Sequence, residues 1–210
     1  MRSLPLLLAG RLLPVAVLAT GGWAWTTGPG APADEPAVAA ARSAQKPEPE
    51  PVHRKPPAPC EALTKDTVGK LAPEADRDGK ELRLTDPDRR RTCSWSALKG
   101  YDYRWLDVSY DLHKTVAAAR QAYPKRGADG DPVPDLGDKA AVTVDLTTKD
   151  RQETREATVV TRSRNALVTV TYNGSDFESK GAPKAEAMQE GAVRAAREAV
   201  SRLTDTAPRN

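Results

Sequence analysis

The chain has 210 residues, of which 39% are hydrophobic, 29% charged and only 5% aromatic, with 18 prolines and two cysteines. That is enough for one ordinary domain and excludes two large ones. A formal charge of +3 from 32 basic and 29 acidic side chains gives no basis for a nucleic-acid binder, and two cysteines with two histidines argue against a structural metal site or any cofactor.

In chain order the first part is residues 1–27. Arg2 and Arg11 precede an apolar run from Leu12 to Trp25, and no further charge appears before Asp34. Basic before apolar is the pattern of an export segment. The uncharged stretch from Leu12 to Ala33 is long enough to cross a bilayer, and Trp23 and Trp25 fall where an interfacial belt belongs. These features favour a single transmembrane anchor, with the membrane as partner. The alternative is a signal peptide cleaved after Ala31-Pro32-Ala33, leaving a secreted protein. Residues 28–59 hold half of the prolines and no aromatic side chain. This stretch reads as a disordered linker, extended by polyproline II preference and suited to a spacer through the cell envelope.

Residues 60–210 carry eight of the ten aromatics and read as one extracytoplasmic domain. Glu61 to Leu71 is a short helix ended by Pro73, and Glu81 to Leu84 an edge strand. Arg91 to Leu98 and Tyr103 to His113 form a hairpin around Lys99-Gly100; in the second strand Leu106, Val108, Tyr110 and Leu112 alternate with polar residues. Thr115 to Tyr123 is an alanine-rich helix stopped by Pro124. Ala141 to Thr147, Glu156 to Arg162 and Leu167 to Tyr172 are three further strands, the last two turning through Ser163-Arg164-Asn165-Ala166. Lys184 to Leu203 is a long helix with a narrow alanine face. The fold class is therefore α+β: a single antiparallel sheet with helices packed on it, a short N-terminal helix and a long C-terminal one. The two strand-strand-helix stretches suggest a duplication, but their residues do not match.

An exported chain with an even pair of cysteines is expected to join them, so Cys60 and Cys93 are assigned to a disulfide. Cys60-Glu61-Ala62-Leu63, Cys93-Ser94-Trp95, Leu136-Gly137-Asp138-Lys139-Ala140 and Asn165-Ala166-Leu167-Val168-Thr169-Val170, followed by an alanine-rich helix, resemble a family of small exported actinobacterial proteins. That family is catalogued as a domain of unknown function, and many of its members are lipoproteins. The resemblance implies a membrane-tethered extracytoplasmic domain with a structural disulfide and no established enzymatic activity. This chain departs from the lipoprotein members in having no lipidation cysteine. Extracellular sensor domains of some actinobacterial receptor kinases are similar in layout.

Candidate sites are few. Ser109, Asp111 and His113 share one strand face, but Ser109 and His113 are about 13 Å apart at that spacing, and the acid lies between nucleophile and base, where a triad needs the histidine. Glu74-x-Asp76-x-Asp78-Gly79 imitates a calcium loop but has Thr85 at its twelfth position. Asp129, Asp131 and Asp135 read as an acidic loop, and Gly137 as a backbone device that starts the next strand. Arg89-Arg90-Arg91 follows Asp86 and Asp88 and reads as locally neutralised, with binding of an anionic wall polymer or lipid head group as the other reading. Asn173-Gly174-Ser175 matches a glycosylation sequon but reads first as a turn. Tyr101, Tyr103 and Trp105 are the candidate ligand-facing aromatic patch, because Trp105 belongs to the polar alternation class of its strand; the competing reading has a helix covering that face. The reading favoured is a non-catalytic binding or interaction module of the bacterial cell envelope, with a cell-wall polymer or envelope protein as partner and no nucleic acid. An envelope hydrolase with an unrecognised site is the alternative, to be favoured by a concave pocket with converging ionisable groups.

Overall fold

Five strands in which apolar and polar residues alternate dominate the domain, each long enough to pair along its whole length. The computed structural model describes residues 53–83, 86–127 and 129–205. A 3-10 turn at Pro59–Glu61 precedes α1 (Lys65–Leu71), β1 (Lys80–Glu81), β2 (Arg90–Lys99) and β3 (Asp102–Leu112). Next come α2 (Val116–Ala122), which runs into a 3-10 turn at Tyr123–Arg126, then β4 (Asp131–Pro132), β5 (Lys139–Lys149), β6 (Gln152–Ser163), β7 (Ala166–Asp176) and α3 (Ala185–Asp205). All pairings are antiparallel, in the order β1-β2-β3-β7-β6-β5-β4. The fold is α+β, with one open antiparallel sheet flanked by helices, a short N-terminal helix and a long C-terminal one. The long β3–β7 pairing joins the β2–β3 hairpin to the β5–β6–β7 meander.

The first helix starts later than its apolar spacing predicts. Ala62 and Leu63 are buried outside it, and Thr64 is its N-cap, accepting a hydrogen bond from the Thr67 N–H. The strands run further than predicted because their hairpins project beyond the core. In the β5–β6 loop Asp150 and Arg151 both have positive φ (52° and 65°), the backbone of a two-residue primed turn. Asn173-Gly174 corrects the turn expectation: both lie inside β7, and a Cβ at Gly174 would approach the Arg104 side chain to 3.0 Å.

One sheet face carries the core. Trp95, Leu106, Val108, Tyr110, Val159, Val168 and Val170 are fully buried beneath α3, whose Met188, Ala192, Ala195, Ala196, Ala199 and Leu203 fill the opposite side. Small residues bring α3 close: a Cβ on Gly191 would lie 2.9 Å from both Leu71 and Tyr172. Two sheet tyrosines reach across to backbone, Tyr110 donating to the Ala199 carbonyl at 2.8 Å and Tyr172 to that of Leu71 at 2.7 Å. Burial raises the pKa of both phenols.

Residues 53–59, which proline content assigns to the linker, lie against the domain, with His53, Pro56, Pro57 and Pro59 buried. The Asn165 side chain holds His53 by both backbone groups, accepting from its N–H at 3.1 Å and donating to its carbonyl at 2.9 Å.

The expected transmembrane anchor requires correction. Among the described residues no helix is long and apolar enough to cross a membrane; α3 carries Glu186, Glu190, Arg194, Arg197 and Arg202 along its length. Residues 1–27, to which the anchor was assigned, and residues 28–52 of the linker lie outside the described residues. Anchorage by an N-terminal helix, and the membrane as a partner, have no support among the described residues.

Candidate functional site

The second sheet face is divided. At one end α2 and its 3-10 turn cover it, with Tyr123 packed on Val160 and Leu167. Beyond them the paired residues form rows across β2, β3, β7, β6 and β5. Thr92, Ser109 and Thr169 share one row, continued by Val160, and Thr92 donates to the Ser109 hydroxyl at 2.9 Å. The next row is Ser94, Asp107, Thr171, Thr158 and Thr143. Then come Ser96, Trp105, Asn173, Glu156 and Asp145. The outermost row pairs Leu98 and Tyr103 with Ser175, whose hydroxyl is 2.7 Å from that of Thr154. Small hydroxyl-bearing residues thus make a flat floor from which the aromatic rings of β3 rise.

Trp105 is 40% exposed, and its indole N–H donates to the Asp107 carboxylate at 2.7 Å, which fixes the ring over its own strand. Tyr103 meets it edge-on at 6.5 Å and 85°. Phe177, the chain's one phenylalanine, stacks on the other side of Tyr103 at 6.0 Å and 18°. Burial among these rings, with the Asp107 charge nearby, raises the Tyr103 pKa. Tyr101 occupies the β2–β3 turn with 58% exposure, and its carbonyl accepts from the Phe177 N–H at 2.9 Å. The structure therefore brings Tyr103 and Trp105 together and adds Phe177, while Tyr101 contributes backbone to the cluster. Phe177 is 74 positions downstream of Tyr103, and the β3–β7 register makes them neighbours.

Cys60 and Cys93 are bonded, their Cα atoms 5.1 Å apart. Gly79, at φ +65°, passes so close that a Cβ there would lie 2.7 Å from the Cys93 sulfur and 2.5 Å from the Trp95 ring. The bond ties the start of the domain to a strand at the edge of the core.

The remaining candidates have separate partners. Ser109 accepts from Thr92, Asp111 pairs with Arg126 and Arg89, and the His113 carbonyl accepts from Asn165 at 3.0 Å. Nothing links these three side chains into a relay. Asp78 pairs with Lys65 at 2.8 Å and Glu74 faces Lys99 at 4.0 Å, so the acidic turn does not converge on one point. Of the arginine cluster, Arg91 forms a two-pronged contact with Glu81, at 2.6 and 2.8 Å, and Arg89 donates to the Leu112 carbonyl. The Leu136-Gly137-Asp138 segment is structural: Leu136 is buried, Gly137 has φ +62°, and Asp138 accepts from the Arg164 N–H at 2.8 Å and the Arg162 guanidinium at 2.9 Å.

A half-open groove of about 850 Å³ lies beside the disulfide, lined by Cys60, Glu61, Leu63, Lys65, Arg77 and Arg202 among others. The Arg77 guanidinium donates to the Lys65 carbonyl at 3.1 Å, and the Asp78 carboxylate holds the Lys65 ammonium in its charged form, raising its pKa.

No protein-family model matches the chain, and no curated protein matches it. A solved structure, the extracellular domain of PknH from Mycobacterium tuberculosis, is similar over 55% of this chain, with 14% identity and a TM-score of 0.33. The match spans 64% of that domain, less than two thirds of its length. The expected relation to an exported actinobacterial family thus reduces to a distant, partial likeness to an actinobacterial extracellular domain.

Proposed function

We propose that the chain is a non-catalytic binding module that works outside the cytoplasm and holds its partner on the open sheet face at Trp105, Tyr103 and Phe177. The observation that carries this reading is the aromatic cluster itself. A domain with eight aromatics leaves three of them packed in a chain, Trp105 edge-to-face with Tyr103 and Tyr103 stacked on Phe177, at the edge of a hydroxyl-rich face, where they add little to the core. Exposed aromatic side chains of this kind contribute most to binding when a partner covers them. The Cys60–Cys93 bond supports an oxidising compartment, as does the basic-then-apolar leader. In a pull-down from cell-envelope extract, the full chain is expected to retain a component that Trp105→Ala and Tyr103→Ser lose. Equal retention by all three proteins would sink the assignment to this face.

The groove beside Cys60 is the one observation favouring an envelope hydrolase, since it is concave and carries ionisable groups. The paired, solvent-exposed state of Lys65 and Asp78 favours the binding reading over it.

A further inference from the structure

The chemistry of the open face also selects the kind of molecule it takes. Resting on the binding reading above, we propose that this face binds a glycan free of anionic groups, with one sugar ring seated on the indole of Trp105.

Three observations carry the assignment. The first is the state of the ring. Its N–H is engaged by Asp107 and Tyr103 packs perpendicular to it, so the ring is held in a fixed orientation while 40% of it stays exposed as apolar aromatic surface. A pyranose presents a matching apolar C–H face, and a pre-set ring loses little freedom when it is covered.

The second is what lies beside the ring. Across the sheet from Trp105 the same row continues through Asn173, Glu156 and Asp145. Strands are spaced about 4.8 Å apart, close to the length of one sugar unit, so the row extends roughly 14 Å from the indole. Asn173 donates to Glu156 at 3.5 Å, and the carboxamide and the carboxylates retain further donor and acceptor positions. Vicinal hydroxyls, each both donor and acceptor, fit such a row, and the flanking Thr171 and Thr158 add more of the same.

The third is charge. On this face the carboxylates Asp107, Glu156 and Asp145 flank or share the Trp105 row, and the lysines stand at its margins: Lys80 of β1 extends the Asp107 row beside Ser94, and Lys149 pairs with Gln152 at the β5–β6 tip. A phosphate-bearing polymer or an anionic lipid surface laid along the Trp105 row would meet Glu156 and Asp145 with Asp107 beside them, so like-charge repulsion disfavours those partners. The nearest arginine cluster sits at the α2 end, where Arg89 and Arg126 neutralise Asp111.

The test is titration of the full chain, followed by saturation-transfer NMR, with neutral oligosaccharides of glucose, mannose, galactose and N-acetylglucosamine. A polyglycerol phosphate and a tetralysine peptide serve as charged probes. Saturable binding of at least one neutral oligosaccharide is expected, weakened about tenfold or more by Trp105→Ala and reduced by Glu156→Gln, with both variants keeping the wild-type melting temperature. No binding of any neutral oligosaccharide, or binding indifferent to Trp105, overturns the glycan assignment. If instead tetralysine or the phosphate polymer binds in a Trp105-dependent way, the binding face stands and its ligand class is wrong. If the envelope component is also retained equally by Trp105→Ala, both readings fall together.

Discussion

At the end of the sheet beneath α2, the buried Asn165 carboxamide binds backbone and nothing else, bridging His53 and His113 through their carbonyls. The imidazoles of these two histidines respond to pH in the same direction. His53 is 5% exposed, and neither ring nitrogen has a hydrogen-bond partner among the described residues; burial first, and the Arg164 charge second, lower its pKa. Burial also lowers that of His113, aided by Arg89 and Arg126 and opposed by Asp111. A histidine whose folded pKa lies below its unfolded value of about 6.5 takes up its proton in the unfolded chain first as pH falls. Stability is therefore full above about pH 7 and declines as the pH drops through 6.5 towards the folded values. Urea midpoints at pH 7.5 and 5.5 are expected to differ in the wild type and to draw together in His53→Gln with His113→Gln. An undiminished pH difference in the double variant would refute this account. Residue-scale roles of this kind leave little trace in sequence. His53 lies in a proline-rich stretch that reads as linker, and what buries it is an asparagine 112 positions away.

Among the elements, the strands were the most legible. The alternation in Tyr103 to His113 places β3 to within a residue at either end, because one face of it is core and the other is polar. The ends of β5 and β6 were not legible, since Thr147 to Arg155 projects past the core and no buried face imposes a period. The turn in that projection is where local sequence and backbone disagree. Asp150 and Arg151 both sit at positive φ, and arginine has no special tolerance for that region, whereas Asp-Gly is a favoured pair for it. Arg151→Gly is expected to stabilise the domain by about 0.5–1 kcal/mol, read as a higher urea midpoint at unchanged slope. A lower midpoint would mean that the Arg151 side chain contributes more than its backbone costs. The first helix teaches the complementary lesson: Ala62, Leu63, Val68 and Leu71 have helical spacing, yet Thr64 caps the chain partway along and the first two are buried from a loop.

For the molecule as a whole, one covalent link and one uncovered face set its character. The disulfide closes a loop of 33 residues, for which chain entropy implies about 3–4 kcal/mol of stabilisation. Reduction of the full chain is expected to lower its unfolding free energy by about that amount, read from urea curves with and without reductant; an unchanged midpoint would show that the loop is already confined in the unfolded chain. The face was half legible. Trp105 announced itself by occupying a polar position in its strand, whereas Phe177 and the Asn173-Glu156-Asp145 row exist only through pairing between strands far apart in sequence. Tension applied to the chain ahead of His53 would first load the two Asn165 hydrogen bonds and then arrive at Cys60. There it passes through sulfur into β2, so the stretch from Glu61 to Thr92, with α1 and β1 in it, is mechanically bypassed and stays folded while the strain is borne by the sheet.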